Sequence, residues 1–263
     1  MDLFQFDRAI VRRPAASVVN GLRAVDRGAP DFDQLGEEHL AYVEALEAAG
    51  VTVTVLPPAP AFPDAVFVED PALVFSNGAV ALRPGAASRF GEAAEMLPVL
   101  REHFANVLQL PGPGSVEGGD VLITPDKVLV GLSERTNFQG AEALMSCLNH
   151  LGLRGAIVQT PPDVLHFKSD CSMLDNETVL STRRLAASGV FNGLRTILVP
   201  QGEEAAANAL RINDRVLIGS HFHRTIDQLS GQGYSLEPLK TNEISKLDAG
   251  LSCMSLRWRS AIG

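Results

Sequence analysis

Cys253, in the stretch GLSCMSLRW, is the side chain of this 263-residue chain best placed to act as a nucleophile. It follows a Gly-containing turn at the start of the last β run, where a side chain can face a cleft instead of a core. A thiolate attacks well, but a free cysteine has a pKa of about 8.5 and needs a proton-transfer partner. Of the six histidines, His166 suits that task, because it sits in the loop PPDVLHFKSD just ahead of a strand. His39 and His103 fall in helical patterns, and His150, His221 and His223 flank helix ends or turns, where solvated or capping roles suffice. Cys147, inside AEALMSCLNHL, and Cys171, at a hairpin start, read as small buried hydrophobes. Three scattered cysteines make neither a disulfide framework nor a closed metal site, so no metal or cofactor is expected.

Carboxylates cluster in two short loops. FPDAVFVEDP carries Asp64, Glu69 and Asp70, and SVEGGD carries Glu117 and Asp120 around two glycines that permit close backbone approach. An aspartate in a loop is usually a cap or turn former, but five acids beside strands suit a cationic ligand. Arg89 in RPGAASR and Arg135 in GLSERTN are loop arginines able to grip a carboxylate through paired hydrogen bonds. The 22 basic and 31 acidic residues leave a net charge of −9, which argues against nucleic acid as the partner. No run approaches the roughly 20 apolar residues of a membrane span. The opening MDLFQFDRAI lacks a basic segment followed by an apolar core, so a cytoplasmic protein is expected.

These residues need a scaffold that brings distant loops together, and the chain repeats a suitable unit. Hairpins are predicted around Asn77 (ALVF-SNG-AVAL), Asp126 (DVLI-TPDK-VLVG), Asn176 (CSML-DNE-TVLS) and Asp214 (NALRI-ND-RVLIG). Helical patterns lie between them, at Asp33 to Ala49, Gly91 to Phe104, Asn137 to Leu151 and His223 to Gly231, several followed by a β run such as VTVTVL or TILVP. The first β run, Arg8 to Arg12, and the last, Cys253 to Trp258, lack hairpin partners. Paired with each other they make a fifth unit and close a ring without exposed sheet edges. An open doubly wound sheet is the alternative. No Gly-rich phosphate loop follows a strand, since Gly112-Pro113-Gly114 lies in a Pro-rich turn.

FPDAVFVEDP, RPGAASR, VEGGDVL, VGLSERTNFQGAE, LHFKS and LSCMSL, in that order, resemble the dimethylarginine dimethylaminohydrolase family of the guanidino-group-modifying enzymes. The likeness runs from about Arg8 to Arg257. It implies a five-fold pseudosymmetric α/β-propeller, pentein-like, forming one catalytic domain over residues 1–263. It further implies that Cys253 is the nucleophile, His166 the general acid and base, and Glu117 the acid that orients the histidine. Leu22 falls in a mobile lid within Asn20 to Gly28. Asp64 and Asp70 match the acids that meet the guanidinium and α-amino ends, with Glu69 beside them. Arg89 and Arg135 match carboxylate-binding arginines, and Ser252 is a substrate-binding position next to the nucleophile. The expected reaction converts a methylated L-arginine to L-citrulline and an alkylamine. An arginine deiminase, an amidinotransferase and a non-catalytic binder of cationic amino acids are the rival readings, and a homodimer is left open. Phe90 after Arg89, Asp170 after Lys168-Ser169 and about five residues past Arg257 depart from the family pattern.

Overall fold

The computed structural model describes residues 3–162 and 164–260. From β1 (Arg8–Arg12) the chain passes through α1 (Phe32–Ala48) to β2 (Thr52–Leu56). The hairpin β3 (Ala72–Phe75) and β4 (Gly78–Ala81) leads through α2 (Glu92–His103) to β5 (Val107–Gln109). Next, β6 (Val121–Ile123) and β7 (Val128–Leu132) lead through α3 (Phe138–His150) to β8 (Gly155–Gln159). Then β9 (Cys171–Met173) and β10 (Thr178–Ser181) lead through the short α4 (Arg183–Ala186) to β11 (Arg195–Leu198). The hairpin β12 (Leu210–Ile212) and β13 (Arg215–Gly219) leads through α5 (His223–Ser230) to β14 (Ser235–Leu239), and β15 (Leu256–Trp258) follows.

Among the described residues five three-stranded sheets result, each an antiparallel pair, a hairpin in four of them, with one strand of the pair joined in parallel by a third. A parallel partner requires a crossover, which is why a helix stands before each third strand. The two β runs without hairpin partners do pair, with Arg8 opposite Trp258 and Ile10 opposite Leu256, so the first sheet is assembled from both ends of the fold. The expected five-unit ring is therefore the observed one. Five apolar clusters fasten it, each shared by neighbouring sheets. Leu122 and Leu129 pack with Met173 and Val179, for example, and Ala9 and Val11 pack with Ile212 and Leu217.

Local signals set the element ends. The Asp31 carboxylate accepts the Gln34 N–H at 2.9 Å to cap α1, and Asn137 accepts the Gly140 N–H at 2.8 Å to cap α3. One expectation is corrected here. The last strand begins at Leu256, and Cys253 lies in a 3-10 turn, Leu251–Met254, just before it. Among the described residues no helix is long and apolar enough to cross a membrane.

Candidate active site

The turn before the first hairpin strand recurs around the ring, and it carries the chemistry. Asp64, Glu69 and Asp70 precede β3, Glu117 and Asp120 bracket the turn before β6, and His166 opens the turn before β9. Cys253 precedes β15. Asp64, Asp70, Arg89, Glu117, Arg135, His166 and Cys253 line one tight cleft of about 40 Å3, with Leu22, Arg23 and Ala24 at its cover.

Glu117 is fully buried and its Oε2 meets His166 Nε2 at 2.6 Å. Its other oxygen accepts the Gly85 N–H at 3.0 Å, and Arg135 Nη1 stands 3.7 Å away. The backbone carrying His166 is tied down as well, because Asp120 accepts the Phe167 N–H at 2.9 Å and the Ser133 hydroxyl at 2.7 Å. Burial opposes a charge on His166, but Asp70, the Glu117 hydrogen bond and Asp120 outweigh it and raise the imidazole to about 9. It is an imidazolium at neutral pH. Burial also pushes the Cys253 thiol up, to about 11, reinforced by the Glu69 and Asp70 carboxylates. The resting pair is therefore thiol and imidazolium, and sulfur ionises only when further positive charge arrives beside it.

Glycines make this packing possible. A Cβ on Gly119 would lie 2.8 Å from His166 Cγ and 3.0 Å from Asp70 Oδ1, and one on Gly118 would lie 2.0 Å from the Glu69 carbonyl oxygen. The two glycines of VEGGD thus let the acid loops and the histidine loop touch.

Arg89 is not a solvated loop arginine. It is buried, its Nη1 meets Asp70 at 2.5 Å and its Nη2 meets Glu92 at 2.6 Å, while Nη2 also donates to the carbonyls of Asp64 and Phe67. Most of its donors are thus consumed inside the protein, whereas Arg135 remains partly exposed at the cleft. Glu92, burdened by burial despite Arg89, is raised to about 7. Asp64 accepts the Leu22 N–H at 2.9 Å, so it anchors the covering segment, and burial raises its carboxyl.

Glu69 and Ser252 are the two expected substrate positions that the fold does not bring into this cleft. Glu69 accepts the Ser252 hydroxyl at 3.1 Å and pairs with Lys168 at 2.6 Å and Arg257 at 3.2 Å. This network lies beside Cys253 in the chain and walls a separate cavity of about 130 Å3 that lacks both Cys253 and His166. The turn ahead of β3 sends the two neighbouring carboxylates to different partners, Glu69 to Ser252, Lys168 and Arg257, and Asp70 to Arg89 and Gly119. Sequence reasoning missed Lys168, Glu92 and Asn208, whose amide donates to Cys253 Sγ at 3.8 Å. Lys168 and Asn208 carry no spacing signal, because each gains its role from a partner far away in the chain, whereas Glu92 stands three residues after its partner Arg89.

Asp70, Glu117 and His166 offer ligand atoms within 4.8 Å of one another, a grouping able to hold a metal ion. Here Glu117 and His166 are engaged with each other and Asp70 with Arg89 and Gly119, and the histidine proton competes with any metal for the ring nitrogen.

The family model for arginine deiminase matches residues 60–204. The N(G),N(G)-dimethylarginine dimethylaminohydrolase of Pseudomonas aeruginosa is 37% identical over 96% of this chain and 100% of its own length. The enzyme of the same name from Streptomyces coelicolor is 34% identical over 96% of this chain and 97% of its own. A cysteine-to-serine mutant of the Pseudomonas protein, complexed with citrulline, superposes with a TM-score of 0.93 over 97% of this chain and 100% of that one. The N-terminal domain of a cyanobacterial arginine dihydrolase, 17% identical over 97% of this chain and 99% of that one, shares the fold with a TM-score of 0.84. With this likeness running the length of both partners, the chain belongs to the dimethylarginine dimethylaminohydrolase family.

Proposed function

We propose that the protein hydrolyses Nω,Nω-dimethyl-L-arginine, and the monomethyl form, to L-citrulline and the corresponding amine, as one catalytic unit built from all five sheets. The observation that carries the reading is the meeting in one cleft of a cysteine with a histidine clamped by a buried glutamate. The complex of the Pseudomonas relative with citrulline, and an adduct of a dimethylarginine dimethylaminohydrolase with S-methyl-L-thiocitrulline, support this substrate class.

The guanidinium carbon is a poor electrophile because its charge is spread over three nitrogens. Asp70, which keeps lone pairs free beyond its bonds to Arg89 and Gly119, holds that cation beside Cys253. The cation in turn favours the thiolate that burial and the Glu69 and Asp70 carboxylates oppose. Sulfur attacks carbon and a tetrahedral adduct forms. His166, already protonated, gives its proton to the departing dimethylamine as the carbon–nitrogen bond breaks. Neutral His166 then takes a proton from water, whose oxygen bonds to carbon. The carbon–sulfur bond breaks, its electron pair returns to Cys253, and citrulline is released. Arg135 reads the α-carboxylate, with at most a single remaining Nη1 proton contributed by Arg89.

Parallel incubation with dimethylarginine, monomethylarginine, arginine and citrulline, followed by mass analysis, tests the reading. Citrulline and dimethylamine should form from the first substrate. Ammonia from unmethylated arginine as the faster product would instead make this an arginine deiminase, and binding without turnover would make it a carrier.

A further inference from the structure

Four of the five sheets present the proposed chemistry from the same place, the turn before the first hairpin strand. The fifth such turn, Glu204–Ala207 ahead of β12, ends in Asn208, and this residue has no part in the scheme above. Its Nδ2 donates to Cys253 Sγ at 3.8 Å, and its Oδ1 accepts the Ser252 N–H at 3.1 Å. One side chain thus holds both the sulfur and the backbone beside it. Gly250 stands against Asn208 so closely that a Cβ would lie 2.5 Å from Asn208 Cγ. Its φ of −134° is open to any residue, so steric room for the amide is what glycine provides there.

We infer that Asn208 is a further catalytic residue, whose amide N–H stabilises negative charge on Cys253 sulfur as the thiolate forms and again when it leaves. The chemistry requires such a donor twice. In the first step sulfur gives up its proton to solvent, since His166 is already protonated, before bonding to the guanidinium carbon. In the last, the carbon–sulfur bond breaks as water oxygen bonds to carbon, and the electron pair returns to sulfur. The carboxylates of Glu69 and Asp70 nearby oppose that charge, and Asn208 supplies a neutral donor that is available before substrate arrives. Being uncharged, it does not compete with the cationic substrate for Asp70.

The inference rests on Cys253 being the nucleophile, and the test separates the two. The pH dependence of iodoacetamide alkylation at Cys253, read by mass analysis in the full-length protein, reports sulfur charge without turnover. Asn208→Ala should move the alkylation midpoint up by roughly one pH unit and lower kcat by about 10- to 100-fold, with KM changed by less than about two-fold. Asn208→Asp keeps an acceptor for the Ser252 N–H but loses the donor at sulfur, so its midpoint should rise further still. Gly250→Ala, which pushes the amide away, should reproduce the upward shift if Asn208→Ala does not fold. A residue serving only to hold Ser252 would give the opposite order, with Asn208→Asp close to the parent and only Asn208→Ala impaired. That order, or unchanged midpoints in folded variants, overturns the inference. Turnover by a folded Cys253→Ser protein would instead overturn the nucleophile itself.

Discussion

Cys253 and His166 are tuned in the same direction, both held in their protonated forms, and this sets the pH behaviour of the site. Activity at low substrate should rise with pH up to about 9 as the sulfur ionises and then level off, because above that pH each gain in thiolate is cancelled by loss of the imidazolium that must supply a proton. Initial rates at low substrate across pH 6 to about 10.5 check this, and a rate that peaks and falls again well below pH 9 would contradict it. The same histidine bears on stability. Its folded pKa lies above the unfolded value of about 6.5, so its contribution is complete below that pH and disappears as pH rises through about 9. Urea midpoints should fall across that interval, and the fall should flatten in Glu117→Gln. The two arginines should part company. Arg135→Ala should raise KM by roughly 10- to 100-fold with little change in stability, since it loses a charge-assisted contact to substrate. Arg89→Ala should destabilise the fold by about 3–5 kcal/mol, because Asp70 and Glu92 would be left buried without their cation. Equal proportional losses for Arg135→Ala on the full amino acid and on a carboxylate-free guanidine would show that Arg135 does not read the carboxylate.

At the level of elements, the hairpins and long helices were legible because their signals are local. The turns around Asn77, Asp126, Asn176 and Asp214 and the apolar periodicity of α1 and α3 depend on neighbours within a few residues. The one-turn helix α4 and the 3-10 turns before the first strands have no such periodicity, being shaped by contacts across the ring. The same holds for the site. Residue types and loop positions singled out Cys253, His166 and the acid loops, but the burial of Arg89 and the turning away of Glu69 follow from tertiary packing that no spacing encodes. The glycine pair in the turn before β6 is the element on which the site most depends. Gly119→Ala should keep the protein folded yet lower kcat by at least about ten-fold, because the new methyl lies 2.8 Å from the His166 ring. Gly118→Ala should cost more in melting temperature, since its methyl meets a backbone carbonyl that cannot swing aside. Circular dichroism melts beside steady-state kinetics separate the two effects, and a Gly119→Ala enzyme with parental kcat would refute the role given to the turn.

For the whole molecule, the five shared clusters mean that no sheet owns a core of its own. Leu144→Ala, between the second and third sheets, and Leu217→Ala, between the fifth and first, should each cost about 2–5 kcal/mol. Both should lower one common thermal transition, and two resolved calorimetric transitions would show that the ring comes apart in pieces. Closure has a further consequence, which concerns the order in which a ribosome delivers the parts. β1 emerges early, but its antiparallel partner β15 is made only after the other fourteen strands, and Cys253 lies three residues ahead of β15. The acids, the histidine and the arginines are all synthesised while the first sheet still lacks an edge. A nascent or interrupted chain therefore lacks the proposed nucleophile until the segment that shuts the ring is being made, so on this reading the birth of activity and the completion of the fold are a single event.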